Sequence, residues 1–361
     1  DASFNRALGE LARMFPADLD ARSFHALSWL GLSGSTRDTA NYMRAAAEAE
    51  AVYELDPRHP GALHYLVHAY DDPVHAPLGL RAARRYGKVA PAAAHAQHMP
   101  SHIFFALGMW DDAIEANIAS LATARSQGQG GYHALEWLAY AYLQQGMRED
   151  AAKLVQSVAD DVARKPTQGN RTTLAYARAM WLVETGSADP TGWADVDETG
   201  IKSIYAFSAY DFARGVVAAR SGDVSAAEAQ ARRLQARSDA ARANAVGVVA
   251  SRYDSVTPVE LEQGEILATA LEGAILFAQG KRDDGLDRVR EAIARADSMA
   301  FEYGPPYSVK PLDELLGDLL LTAGKPAEAA AAYRKTLAVH PDRRLAVAGL
   351  NAALGAESPD G

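Results

Sequence analysis

His64 and His98 stand 34 residues apart, and so do His68 and His102, and so do Pro57 and Pro91. Three pairs at one interval make a repeat of about 34 residues, the length of a two-helix unit stacked on its neighbours. Such a unit cannot bury its apolar face alone, so the interval restricts the chain to an all-α solenoid of antiparallel helix hairpins. The stretch from His64 to His102 also holds six of the ten histidines: His64, His68, His75, His95, His98 and His102.

Apolar spacing places helices along the rest of the chain. Phe4 to Phe15 reads as the second helix of a hairpin whose first is incomplete; Ala21–Leu32 and Thr39–Leu55 follow. Gly61–Tyr70 and Leu78–Gly87 form the next pair, and Ala93–Leu107 is a first helix bent at Pro100. Pro57 and Pro91 close second helices, where the missing N–H does no harm. Tyr132–Gln144 and Arg171–Thr185 are further helices, with hairpin turns expected around Ser221–Ala231, Gln279–Val289 and Ala323–Pro341. Ser187–Thr199 is irregular, and 239–262, with Pro258, reads as a loop; Val246–Val249 is a short β-branched piece. The expected organisation is one run of about seven to eight hairpins over 1–355 and a disordered tail over 356–361.

The segment LGMWDDAIEAN (Leu107 to Asn117), repeated as GMREDAAKLV and AGKPAEAAAAYRKTLAVHP, has glycine in the turn and small residues after it. It resembles the tetratricopeptide (TPR) repeat. More narrowly, GALHYLVHAYDDP, HAQHMPSHIFFALGMWDDAIEAN and YHALEWLAYAYLQQG resemble bacterial TPR-containing proteins with HMPSHI-type sequences. The resemblance implies a fold, a right-handed superhelix, and no reaction. It also implies which positions line the concave groove: 2, 5, 9 and 12 of each repeat. With Pro57 and Pro91 at position 32, His64, His68 and Asp71 take groove positions, as do His95, His98 and His102. His133, Glu136 and Tyr140 follow on the next first helix, and His25 falls near such a position on its own. Leu63, Leu66, Val67 and Tyr70 fall on packing positions, and His59, His75 and His340 in turns.

Two HxxxH pairs on neighbouring helices offer four nitrogens to a metal, since residues four apart share a helix face. The expected ligands are His64, His68, His98, His102 and His133, around one or two ions. With no cysteine, the donors are imidazole and carboxylate, which suit zinc first, then copper, nickel or iron. Glu136 or Asp71 is the expected base; His25, His95, Phe105 and Tyr140 are groove residues expected to bind substrate, as are Tyr307 and Lys310, which lie with Tyr303 in a GPP loop read as a lid. Plainer readings stand beside these. Asp71-Asp72-Pro73 ends a helix in a turn, the GPP loop is a stiff linker, and Phe104, Trp110, Trp137 and Tyr142 are core. Behind metal binding stand two other readings, first hydrogen-bond donors in a peptide groove and then a pH-sensing cluster.

The function expected is a metal-dependent hydrolase acting on a small molecule or peptide. A copper- or iron-dependent oxidoreductase on the same site, and a non-catalytic scaffold binding a peptide or partner protein, are the alternatives. A net charge of −10 without a basic block excludes tracking along a nucleic-acid backbone. No apolar run approaches the roughly 18 residues of a membrane span. No phosphate loop, nucleophile elbow or HExxH occurs. The sequence begins at Asp1 and enters helical pattern at once, so a processed or trimmed N-terminus is expected, through loss of a signal peptide or of a first repeat. A soluble protein of cytoplasm or periplasm fits this composition.

Overall fold

The computed structural model describes residues 2–33, 37–186, 195–244, 256–299 and 304–357. Among these the chain is all-α and TPR-like. The helices are α1 (Ala2–Met14), α2 (Leu19–Gly31), α3 (Thr39–Leu55), α4 (Pro60–Ala69), α5 (Ala76–Val89), α6 (Ala94–His98), α7 (Pro100–Ala106), α8 (Trp110–Ser126) and α9 (Tyr132–Gln144). There follow α10 (Arg148–Arg164), α11 (Gln168–Thr185), α12 (Tyr205–Arg220), α13 (Val224–Asn244), α14 (Pro258–Ala278), α15 (Arg282–Ala296), α16 (Leu312–Thr322), α17 (Pro326–Val339) and α18 (Arg344–Glu357). The chain forms two compact units, one of residues 1–138 with 300–304 and one of 139–299 with 305–361.

Local chemistry starts and stops these helices. Asp18 and Asp38 accept from backbone N–H groups at the starts of α2 and α3, and Thr167 and Asn170 form a capping box on α11. Five hairpin turns share one ending. Gly108, Gly146, Gly222, Gly280 and Gly324 all have positive φ, between 68° and 87°. The residue after each donates to a carbonyl five positions back, as in Met109 N to Phe104 O at 2.8 Å and Lys325 N to Leu320 O at 2.9 Å. This is the Schellman motif, and it returns the chain antiparallel within three residues.

Alanine and glycine let the hairpin helices approach closely. In the second unit, a Cβ added to Gly285 of α15 would lie 2.7 Å from the Gly273 carbonyl oxygen of α14 and 2.8 Å from Phe277 N. Gly285→Ala gains about 1 kcal/mol of helix propensity, but backbone atoms cannot step aside as a side chain can. Overpacking costs about 1–3 kcal/mol. A net loss of stability is expected in urea unfolding, and a gain would contradict this contact.

Three expectations are corrected. The region 239–262 is not a loop throughout: α13 runs to Asn244 and α14 begins at Pro258, where proline's fixed φ suits a helix start. Val246–Val249 lies outside the described residues, as do 187–194 of the irregular segment and Tyr303. Helix α18 runs through Glu357, so Ala356 and Glu357 are helical; 358–361 lie outside the described residues. Ala93–Leu107 is two helices meeting at Met99, because Pro100 has no N–H for the continuing ladder.

Candidate metal centre

Six histidines of the first unit form two groups of three. Helix α4 buries Leu63, Leu66 and Val67 on one side, which leaves His64 and His68 on the other, four residues apart. Their Nε2 atoms are 3.1 Å apart, and His95 of α6 brings its Nε2 to 3.0 Å from that of His64. In the second group His98 closes α6 and His102 lies in α7. Met99 keeps right-handed helical angles (φ −51°, ψ −37°), so the break at Pro100 leaves the two rings on one face. Their Nε2 atoms are 3.1 Å apart, and His133 of α9 lies beside them, its ring centroid 4.5 Å from that of His98. Within each group the ligand atoms all lie within 4.8 Å of one another. His68 and His102 adjoin across the two groups, their ring centroids 6.0 Å apart.

The buried group shows which nitrogens are available. Asn117 of α8 donates its amide to Ala113 O at 2.8 Å, so its Oδ1 faces His98 Nδ1, at 2.7 Å. His98 Nδ1 must therefore carry the proton, which leaves Nε2 a bare lone pair. His102 Nδ1 lies 2.6 Å from Asp71 Oδ2. In the ion-free chain, burial pushes the Asp71 carboxyl well above its ordinary range. That rise favours a proton shared between Asp71 Oδ2 and His102 Nδ1, with His102 Nε2 facing His98 Nε2. Were His98 and His102 to hold a metal through their Nε2 atoms, His102 Nδ1–H would donate to an Asp71 carboxylate, the pairing that orients metal-bound histidines. Tetrahedral zinc with bonds of about 2.0–2.1 Å sets nitrogens roughly 3.3 Å apart, close to the spacing here.

Electrostatics keep these rings ready to coordinate. Burial first, then the neighbouring imidazoles, holds His64 and His68 down to about 3. Burial also holds His98 and His102 well below the ordinary histidine value. All four are neutral near pH 7, the form that binds metal.

Several expected roles change. His95, assigned to substrate, stands among the candidate ligands beside His64. Asp71, assigned as base, is buried behind His102 and engaged by it. Glu136 is buried on α9 and belongs to neither triad. His25 lies apart, its Nδ1 3.5 Å from Glu48 and its other face close to Gly9 of α1. Phe105 is not a groove aromatic; it is buried, with its ring 4.5 Å from Trp137 and 5.2 Å from Trp110. Trp110, Trp137 and Phe104 are core, while Tyr142 is half-buried.

The remaining expected site residues belong to the second unit and hold its fold. The Tyr140 hydroxyl accepts from the buried Arg343 at 2.7 Å. Lys310 is buried, with Nζ 2.8 Å from both Glu314 and Asp318. Tyr307 packs its ring 4.8 Å from that of Tyr205. The GPP loop is pinned rather than a lid, because the Tyr176 hydroxyl donates to Pro306 O at 2.8 Å.

Asn117 was missed. Its signal was a polar residue on the buried stripe Ala113, Asn117, Leu121, Ala124 of α8, where an unpaired amide would be costly. Asp71→Asn is expected to weaken metal binding at the His98 triad by about 10–100-fold and to spare the His64 triad. Titration against a chromogenic chelator reads both; equal weakening at the two triads would remove Asp71 from this role.

Fold and site together define an all-α protein of TPR-like hairpins with a histidine cluster in its first unit. No protein-family model and no curated protein matches the sequence. Among solved structures, Cut9 in the APC/C Cut9–Hcn1 hetero-tetramer aligns over 97% of this chain at 14% identity and a TM-score of 0.44. The chain spans about half of that protein, 52% of its length. The human IFIT1 dimer with m7Gppp-AAAA aligns over 98% of this chain and 76% of its own, at 13% identity and a TM-score of 0.45. A tetratricopeptide repeat protein from Parabacteroides merdae aligns over 91% of this chain and 98% of its own, at 11% identity and a TM-score of 0.41. No helix among the described residues is long and apolar enough to cross a membrane.

Proposed function

We propose that the chain is a TPR-like binding protein whose first unit holds transition-metal ions, one at each histidine triad. The observation that carries this reading is the buried pair His98 and His102: Nδ1 sides engaged by Asn117 and Asp71, Nε2 atoms 3.1 Å apart. A satisfied core histidine needs no second imidazole facing its bare nitrogen. Six nitrogens without sulfur suit zinc first, with copper or iron next. The partner on the helical scaffold is a peptide, a small molecule or another protein, the usual cargo of such repeats.

Elemental analysis tests this on untagged protein stripped of metal, reloaded with zinc or copper, and desalted. About two equivalents per chain are expected. Less than about a tenth of an equivalent would sink the metal reading, given the tight binding of histidine sites.

One observation favours a catalytic second reading. Each triad supplies three protein ligands, and His95 and His133 are exposed. Three ligands with a fourth position open to solvent is the pattern of catalytic rather than structural zinc. With zinc, such a position would activate water for hydrolysis. With copper, the carboxylate-free ligand set fits an oxidoreductase instead. Ester and phosphoester hydrolysis by the zinc form, and dioxygen consumption with phenols by the copper form, separate these from pure binding. Inactivity of both loaded forms would leave the scaffold.

A further inference from the structure

The second unit contains a cavity of about 480 Å³ among α11, α12, α14, α15, α16 and α17. That size is ordinary for a site enclosing a small ligand. Val183, Val216, Phe277, Leu315 and Leu319 supply apolar wall. Lys310, Asp318 and Tyr333 line its polar side.

The charges on that polar side are already spent. Lys310 pairs with Glu314 and Asp318, Arg343 with Glu314 and Glu184, and Arg344 with Glu184: three cations against three carboxylates. Tyr333 donates its hydroxyl to Asp318 at 2.7 Å. The network therefore neither needs an ion nor offers one.

Two further cations line the same cavity, Arg220 and Arg282. Both are exposed, and neither has a carboxylate partner among the described residues. Arg220 ends α12, where a cation complements the helix dipole. Arg282 opens α15, where a cation opposes it. Its only described interaction is a loose one over the Phe277 ring, 5.7 Å to the centroid. Local structure thus gives no reason for a second guanidinium here, whereas a bound anion would.

We infer that this cavity binds a small amphiphilic anion, its apolar body between α12, α14 and α16 and its carboxylate or phosphate head between Arg220 and Arg282. The charge complementarity of the lining is one-sided: Arg220 and Arg282 add positive charge, the wall behind is apolar, and the lining carboxylate, Asp318, is already paired with Lys310. The site is separate from the histidine triads and does not depend on metal.

Isothermal titration of the whole metal-free chain with decanoate, decyl phosphate and neutral decanol tests it. At least one anion is expected to saturate at one site per chain, about tenfold more tightly than decanol, the modest worth of two solvent-exposed ion pairs. The tighter of the two anions identifies the head group. Arg220→Gln with Arg282→Gln, both exposed and outside the buried network, should erase that tenfold preference and leave decanol binding unchanged. Absence of saturable binding by both anions, anions no tighter than decanol, or an unchanged preference in the double variant would each overturn the assignment.

Discussion

Replacing His64 and His98 together by alanine is expected to take bound transition metal from about two equivalents per chain to less than a tenth. Each substitution removes the imidazole its triad is built around. His64 Nε2 lies 3.1 Å from that of His68 and 3.0 Å from that of His95. His98 Nε2 lies 3.1 Å from that of His102. Two nitrogens then remain in each group, too few for a stable tetrahedral site. The His98 change also orphans Asn117 Oδ1, at about 1–3 kcal/mol, so circular dichroism must confirm that the variant is folded. His75→Ala is the control: His75 starts α5 and pairs with Asp72, outside both triads. A folded double variant that keeps its metal would refute the site, and so would metal loss in the control.

Glu314→Gln is expected to destabilise the second unit by about 3–5 kcal/mol, the cost of removing one partner from a buried ion pair. Glu314 is fully buried between two cations, Arg343 Nε at 2.5 Å and Lys310 Nζ at 2.8 Å. Arg343 is itself wholly buried, so its charge has no recourse to water. The same network sets a pH dependence. Although burial alone would raise it, Arg343 and Lys310 hold the Glu314 carboxyl down to about 2 from an ordinary 4.5. A depressed carboxyl stabilises the fold fully above its unfolded value and loses that contribution as pH falls through the folded one. Stability should therefore fall between pH 4.5 and 2, and less steeply in the Gln variant. Hydrogen exchange of the α16 amides against pH reads both effects; parallel profiles in the two proteins would rule out Glu314 as the source.

The two HxxxH pairs were legible because helical period and repeat period are both written along the chain, and four residues on one helix fix a face. Leu63, Leu66 and Val67 came out buried for the same reason. His95 was assigned to substrate because its approach to His64 runs between helices, and depends on how closely α4 and α6 pack. Asp71 looked like a free base because the sequence shows a helix end and not the ring of His102, 31 residues on, that engages it. Tyr140 and Lys310 were misassigned for a stronger version of that reason. Arg343, which engages Tyr140 from 203 residues away, belongs to no repeat position that a periodic pattern marks. Ion networks of this kind are set by three-dimensional closure, and a one-dimensional period is blind to them.

The glycine turns imply how such a chain can change length. Five hairpins turn through one Schellman geometry, so each carries its own turn and forms a self-contained pair of helices. Insertion, duplication or loss of a whole hairpin is then tolerable wherever only neighbouring helices must match. The first unit forfeits that freedom. Its candidate ligands come from α4, α6, α7 and α9, spread over three successive hairpins, so excising any one of them would dismantle a triad. The shared turn leaves the order of the hairpins open, and the histidines close it for the first unit.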